Sequence, residues 1–178
     1  VVAWMFINAA LAFETGGDIY CLIGWSGALI LFAGLFDMMD GRLARMGDMS
    51  TTFGALWDST LDRYSELVTL FGIVLIFIKA DWFWMGVVTF LAMIGSVMVS
   101  YVRARAEGLN IECKVGLMQR PERVVVTALV AIIAGATQNL WWLAGGMTAI
   151  AVLANITAFW RIVHCYRELN NSDEIRGK

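Results

Sequence analysis

Long stretches without a single formal charge constrain this chain more than anything else in it. Residues 19–36, 82–102 and 124–160 contain no Asp, Glu, Lys or Arg. A helix needs about 20 predominantly apolar residues to cross the hydrocarbon of a bilayer, and runs of this length have no place in a small water-soluble core. Composition agrees. Sixty per cent of the 178 residues are hydrophobic, there is one proline, and mean hydropathy is +0.70; soluble domains are nearer about 45–50% apolar. The expectation is an all-α integral membrane protein of one domain.

Turn signals divide the apolar sequence into six helices. Residues 1–15 are too short for a span and read as the latter part of a first helix. A polar turn at Glu14, Gly16, Gly17 and Asp18 leads into a second helix over 19–45. A loop at 46–53 precedes a third helix over 54–78, and Lys79-Ala80-Asp81 connects it to a fourth over 82–107. The loop 108–116 follows, then a fifth helix over 117–137 with Pro121 in its first turn, where a missing N–H matters least. Gln138-Asn139 turns the chain into a sixth helix over 140–166. The expected organisation is a transmembrane domain over 1–168 and a polar cytoplasmic tail over 169–178, frayed at its end.

This topology places twelve of the thirteen basic residues on one side, with Lys79 alone opposite. The positive-inside rule makes the basic side cytoplasmic. Trp82, Trp84, Trp141 and Trp142 fall at the other boundary, as an aromatic belt would. The opening residues lack a basic n-region and do not read as a signal peptide. A formal charge of −2 gives no footprint for nucleic acid. Cys21, Cys113 and Cys165 are widely spaced and fit neither a zinc pattern nor a disulfide framework.

Against this background the acidic residues at 37–62 stand out. Asp37 and Asp40 are three apart, Asp58 and Asp62 four apart, so each pair shares one face of a helix. Gly41, Ala44, Arg45 and Gly54 lie between them, small or cationic residues that let a ligand approach the backbone. Two like charges about 4 Å apart repel by roughly 4 kcal/mol at an effective dielectric of about 20. Hard divalent cations with oxygen ligands, Mg²⁺ or Mn²⁺, relieve that repulsion. A plainer arrangement is a solvated helix end whose acids pair with Arg42, Arg45 and Arg63.

The full pattern, Asp37-x2-Asp40-Gly41-x2-Ala44-Arg45-x8-Gly54-x3-Asp58-x3-Asp62, resembles the signature of the CDP-alcohol phosphotransferase family. The resemblance implies that Asp37, Asp40 and Asp58 bind metal, as two ions, bridging the diphosphate of a CDP-linked lipid. It makes Asp62 the general base toward the acceptor hydroxyl and a further metal ligand. Gly41, Ala44, Arg45, Gly54 and Asp58 would line the CDP-lipid site. It also implies a homodimer.

A second cluster bears on the acceptor. Ser100-Tyr101-Val102-Arg103-Ala104-Arg105-Ala106-Glu107 precedes Gly116-x3-Arg120-Pro121-Glu122-Arg123, and Arg161 lies near the end of the sixth helix. Arg120 and Arg123 are three apart at a helix start, where anions are already favoured, so a phosphate clamp is expected. An acceptor bearing its own phosphate explains such a cluster; free serine or choline does not. Simple anchoring, with arginines snorkelling to the interface, is the competing explanation. The segments resemble the phosphatidylinositol phosphate synthase branch, which implies inositol 1-phosphate held by Arg103, Arg120, Arg123 and Arg161. Arg103 stands where relatives of that branch often carry Lys.

The expected activity is therefore metal-dependent transfer of a phosphatidyl group from CDP-diacylglycerol to inositol 1-phosphate, at the cytoplasmic face of a prokaryotic inner or plasma membrane. Glycerol 3-phosphate is the rival acceptor. A cation transporter would need carboxylates near mid-bilayer, whereas here they gather at one side; CDP binding without transfer is a third possibility. Glu66 is expected to pair with Arg63 or Arg103, His164 to be interfacial, and Gly72, Gly86, Gly95 and Gly135 to permit close helix contacts within one protomer or between two.

Overall fold

A computed structural model describes the backbone of residues 1–46, 51–113 and 115–176, and their side chains apart from residues 15, 37–46 and 171–176. Among the described residues there are six helices and no strand: α1 (Val2–Thr15), α2 (Ile19–Met46), α3 (Thr52–Lys79), α4 (Phe83–Glu107), α5 (Arg120–Thr137) and α6 (Leu140–Arg176). Local chemistry sets most boundaries. Gly16 closes α1 in the left-handed conformation, φ 71°, its N–H donating to the Ala12 carbonyl. The Asp18 carboxylate accepts from the Cys21 N–H at the start of α2. Thr51 caps α3 by accepting from the Gly54 N–H at 3.0 Å, which starts this helix two residues earlier than its apolar pattern suggests. Asn139 does the same for α6 through the Trp141 N–H.

Two ends differ from expectation by more than a turn's fraction. α5 begins at Arg120 rather than Leu117, because Gln119 is extended and Pro121 occupies the first turn. α6 continues to Arg176, since nothing between Tyr166 and Arg176 is a proline or glycine that would stop it.

The helices close into a ring. α1 packs on α2, α2 on α5, α5 on α6, α6 on α4, α4 on α3, and α3 back on α1. Consecutive helices are therefore not always neighbours around the ring; α2 and α3, which share the aspartate motif, are separated by α1 on one side. Three helices, over Ile19–Phe36, Phe83–Glu107 and Leu140–Asn170, are long and apolar enough to cross a membrane. Trp82 and Trp141 meet at the Lys79 end, ring centroids 4.7 Å apart. Lys79 forms an ion pair there with Glu14.

In α4 and α6 the core runs toward both ends, through Val99, Ala154 and Ala158, whereas in α3 it lies toward the Lys79 end. Every buried residue of α3 falls between Leu70 and Phe77. Phe6, Ile23, Ile73, Phe77, Leu143 and Met147 are fully buried with them. Glycines allow the closest approaches. A methyl placed on Gly135 would sit 2.5 Å from the Gly24 Cα, and one on Gly72 would sit 2.7 Å from the Phe6 Cβ. Gly95 faces Asn155 of α6, whose side-chain amide donates across the helix pair to the Leu91 carbonyl. The small residues singled out in the sequence thus make contacts within the chain.

Candidate active site

α2 and α5 run antiparallel, touching at Gly24 and Gly135 and again at Gly27 and Ala128. Further along, they part. At Gly34 the nearest atom to an added methyl is a Val124 side-chain carbon at 4.0 Å. α3 contributes a polar stripe at helical spacing to the space so opened: Asp62, Ser65, Glu66 and Thr69. With Ile30, Ala33 and Gly34 of α2 and Arg120, Arg123 and Thr127 of α5, these residues line a cavity of about 280 Å³ at the motif end of the ring.

Asp58 lies one turn before Asp62 and is exposed. Asp37, Asp40, Gly41, Ala44 and Arg45 belong to the last turns of α2, and their side chains, like that of Arg42, lie outside the described residues. Gly54 sits in the first turn of α3, its N–H taken by Thr51. The donor set is carboxylate oxygen at all four aspartates, without nitrogen or sulfur, and that chemistry fits Mg²⁺ or Mn²⁺. Among the described residues, no three His, Cys, Asp or Glu side chains gather closely enough to hold a metal; two of the four aspartate side chains fall outside that set.

The arginines divide into two groups. Arg120 forms an ion pair with Asp62, at the cavity wall, with 37% of its side chain exposed. Arg123, only 2% exposed, grips Glu66 with two parallel bonds, Nε to Oε1 at 2.6 Å and Nη2 to Oε2 at 3.1 Å. Its Nη1 donates to the Met118 carbonyl at 3.1 Å. Two rungs therefore join α3 to the start of α5, Asp62–Arg120 and Glu66–Arg123.

Arg161, equally buried, ties three elements together: its Nε donates to the Val115 carbonyl and its Nη1 to the Val99 carbonyl, both at 2.7 Å. It lies within electrostatic range of Arg103, Arg123 and Glu107. Arg103 is half-exposed and donates to Glu107 at 2.9 Å. The four arginines named from sequence thus share one end of the ring, in different bonding states. The 108–119 loop is drawn under α6 by Arg161 and by His164, whose Nε2 lies 3.3 Å from the Glu112 carbonyl. Gly116, at φ 121° and pressed against Thr157, makes that turn.

Glu66 does not pair as expected. Arg63 donates to the carbonyl of Ser59 on its own helix, and Arg103 turns to Glu107, while Glu66 faces α5. The signal was present in the spacing: carboxylates four apart on α3 match arginines three apart on α5. Ser65, Thr69 and Thr127 were not singled out either, although polar residues at 62, 65, 66 and 69 mark one face of an apolar helix.

Known proteins with this sequence pattern and fold bear on the reading. Residues 1–160 match the CDP-alcohol phosphatidyltransferase family. An archaetidylinositol phosphate synthase of Methanothermobacter thermautotrophicus is 38% identical over 142 residues, 80% of this chain and 70% of that protein. A phosphatidylinositol phosphate synthase of Mycobacteroides abscessus is 34% identical over 160 residues, 88% of this chain and 70% of that protein. Crystal structures of the Mycobacterium tuberculosis phosphatidylinositol phosphate synthase superpose well. The form with CDP-DAG bound gives a TM-score of 0.74 at 28% identity, covering 93% of this chain and 82% of the other. The complex with manganese and citrate gives 0.73 at 27% identity, with 93% and 81% covered.

Proposed function

This chain belongs to the CDP-alcohol phosphatidyltransferase family, and on that premise we propose that it transfers the phosphatidyl group of CDP-diacylglycerol to inositol 1-phosphate, releasing CMP. The observation that carries the acceptor choice is the pairing of Asp62 with Arg120 at a cavity that Arg123 also lines, with Arg103 and Arg161 at the same end of the ring. A carboxylate that must take a proton from the acceptor hydroxyl stands beside a cation that can hold the acceptor's phosphate. Names of the relatives point the same way.

Asp37, Asp40, Asp58 and Asp62 would hold two divalent ions, Mg²⁺ or Mn²⁺, which when bound supply neutralising charge to the diphosphate and its leaving group. Gly41, Ala44, Arg45, Gly54 and Asp58 line the CDP-lipid site. The residues of the chain do the rest. Arg120 orients the acceptor through its phosphate, and the cations behind it add field in a partly desolvated space. Asp62 accepts the proton from the attacking hydroxyl and fixes that oxygen for in-line displacement. The six helices form one transmembrane domain with the motif end at the cytoplasmic face, as twelve of thirteen basic residues favour. Two copies pair as a homodimer, in keeping with the family pattern.

Purified enzyme supplied with CDP-diacylglycerol and divalent metal should release CMP with inositol 1-phosphate, less with glycerol 3-phosphate, and none with serine. Turnover of glycerol 3-phosphate with inositol 1-phosphate inert would overturn the acceptor assignment. CMP release with neither would reduce the protein to a CDP-lipid binder.

A further inference from the structure

Cys113 and Cys165 are far apart in the chain and match no disulfide pattern in the sequence, yet the fold sets them side by side. The 108–119 loop is seated under α6 by a contact on either side of Cys113. The Glu112 carbonyl lies 3.3 Å from His164 Nε2, and the Val115 carbonyl accepts from Arg161 Nε at 2.7 Å. Cys165 follows His164 and stands one helical turn beyond Arg161, on the stretch of α6 that holds the loop. The Cys113 thiol is hydrogen-bonded to the Cys165 sulfur. Cys113 is 1% exposed, whereas Cys165 is half-buried and open to solvent on one side. Neither sulfur has a part in the transfer chemistry. The third cysteine, Cys21, is exposed at the opposite end of the ring, next to Tyr20 of the Lys79 rim.

We propose that Cys113 and Cys165 form a reversible disulfide that ties the 108–119 loop to α6 and slows the transfer reaction under oxidising conditions. The oxidant is a low-molecular-weight disulfide. The thiolate of Cys165, the accessible sulfur, attacks it; one small thiolate leaves and a mixed disulfide forms on Cys165. Cys113, once deprotonated, attacks the Cys165 sulfur and expels the second small thiolate. Two electrons and two protons thus pass from the cysteines to the small disulfide. Burial, and then the Cys165 sulfur, push the Cys113 thiol up to about 11, so Cys165 reacts first and Cys113 closes the bridge. At a cytoplasmic face such a pair stays reduced by default, and its disulfide is transient and redox-sensing. Both thiols are free in this structure. The loop is also the covalent lead-in to α5. Gly116 turns it against Thr157, the Met118 carbonyl accepts from Arg123, and Arg120 opens the helix. A tie at Cys113 restricts how far that first turn can adjust to an acceptor. The effect on turnover rests on the acceptor reading given above; the bridge itself does not.

Oxidised glutathione is the probe, applied to the full-length protein in detergent with Cys21→Ser as background. After acid quenching, the intact mass should show the loss of two hydrogens, and peptide mapping should join Cys113 to Cys165. Turnover with inositol 1-phosphate should fall by about fivefold, as for a hindered conformational step rather than lost chemistry, and dithiothreitol should restore it. Amides of the 108–119 loop should exchange hydrogen more slowly in the oxidised protein. Cys165→Ser, at a half-buried position that tolerates the change, should keep the reduced activity and be indifferent to glutathione. Cys113→Ser should stop at one glutathione on Cys165, with turnover little changed. A mixed disulfide on Cys165 that never resolves while Cys113 is present would overturn the proposal. So would a bridge formed with turnover unchanged, or an oxidative loss of activity shared by Cys165→Ser. A reduced enzyme that releases no CMP with any phosphorylated alcohol sinks the acceptor reading and the effect on turnover, and leaves mass and exchange to decide the bridge; an active enzyme that forms no bridge sinks this inference alone.

Discussion

The two ends of the ring are built from the same helices and differ in nearly every physical respect. At the Lys79 end, α3 buries Leu70, Ile73, Ile76 and Phe77, α2 and α5 touch backbone to backbone at Gly24 and Gly135, and tryptophans close the rim. At the motif end no residue of α3 before Leu70 is buried, and α3 meets α5 through ion pairs, while α4 and α6 still pack through Val99, Ala154 and Ala158. Around α3, one end is held by close packing, which in lipid is the main source of helix association. The other is held by charges that are useful only if some can let go. Stability and chemistry are thereby separated along the helix axis, and damage to one end should leave the other largely intact.

Experiments can break or sharpen that separation. The largest effect is expected at Asp62. Asp62→Asn should lower kcat by about a thousandfold, the range of a lost general base, while CDP-lipid affinity and the thermal unfolding midpoint in detergent hold. Retained turnover would remove Asp62 from the base role. Gly135→Ala should do the reverse: its methyl lies 2.5 Å from the Gly24 Cα, and overpacking of this kind costs about 1–3 kcal/mol, seen as earlier unfolding with kcat per folded molecule little changed. Loss of activity without loss of stability there would mean that the packed end takes part in chemistry.

Arg120→Ala should raise the acceptor KM by about tenfold or more, as for one charge-assisted bond, and leave the CDP-lipid KM nearly unchanged. Equal effects on both would mark the arginine as an anchor. Lys79→Met removes an ion pair with Glu14 that is largely exposed, so stability should change by less than about 1 kcal/mol, with no effect on turnover. Smallest of all is a reactivity effect at the loop under α6. Burial, and then the neighbouring Cys165 sulfur, push the Cys113 thiol up to about 11. The thiolate is the reactive form, so maleimide should label Cys113 slowly at pH 8 and faster as pH approaches 11; rapid labelling at pH 7 would show that the loop stands away from α6.

Sequence spoke clearly about what single helices do and poorly about which helices meet. Apolar runs, caps and Pro121 located all six elements, because each signal is local. The ring order was not legible, since a Leu or Val facing lipid and one facing a neighbour are chemically alike. Gly72, Gly95 and Gly135 announced close contacts without naming Phe6, Asn155 or Gly24 as the groups across from them. At the site, the aspartate spacing was explicit. The partner of Glu66 was not, because the sequence offered Arg63 and Arg103 for it, whereas in the fold these turn to Ser59 and Glu107 and Arg123 of α5 comes across to Glu66. The extension of α6 was missed because polarity was read as the end of a helix, whereas a polar stretch without proline or glycine continues one.

The contact of Gly24 with Gly135 has no side chain in it. Gly34 is ten residues along, roughly 15 Å at the rise of an α-helix. Over that arm each degree of crossing angle corresponds to about a quarter of an ångström of separation at Gly34, so the second contact, at Gly27 and Ala128, does for the angle what the first does for the distance.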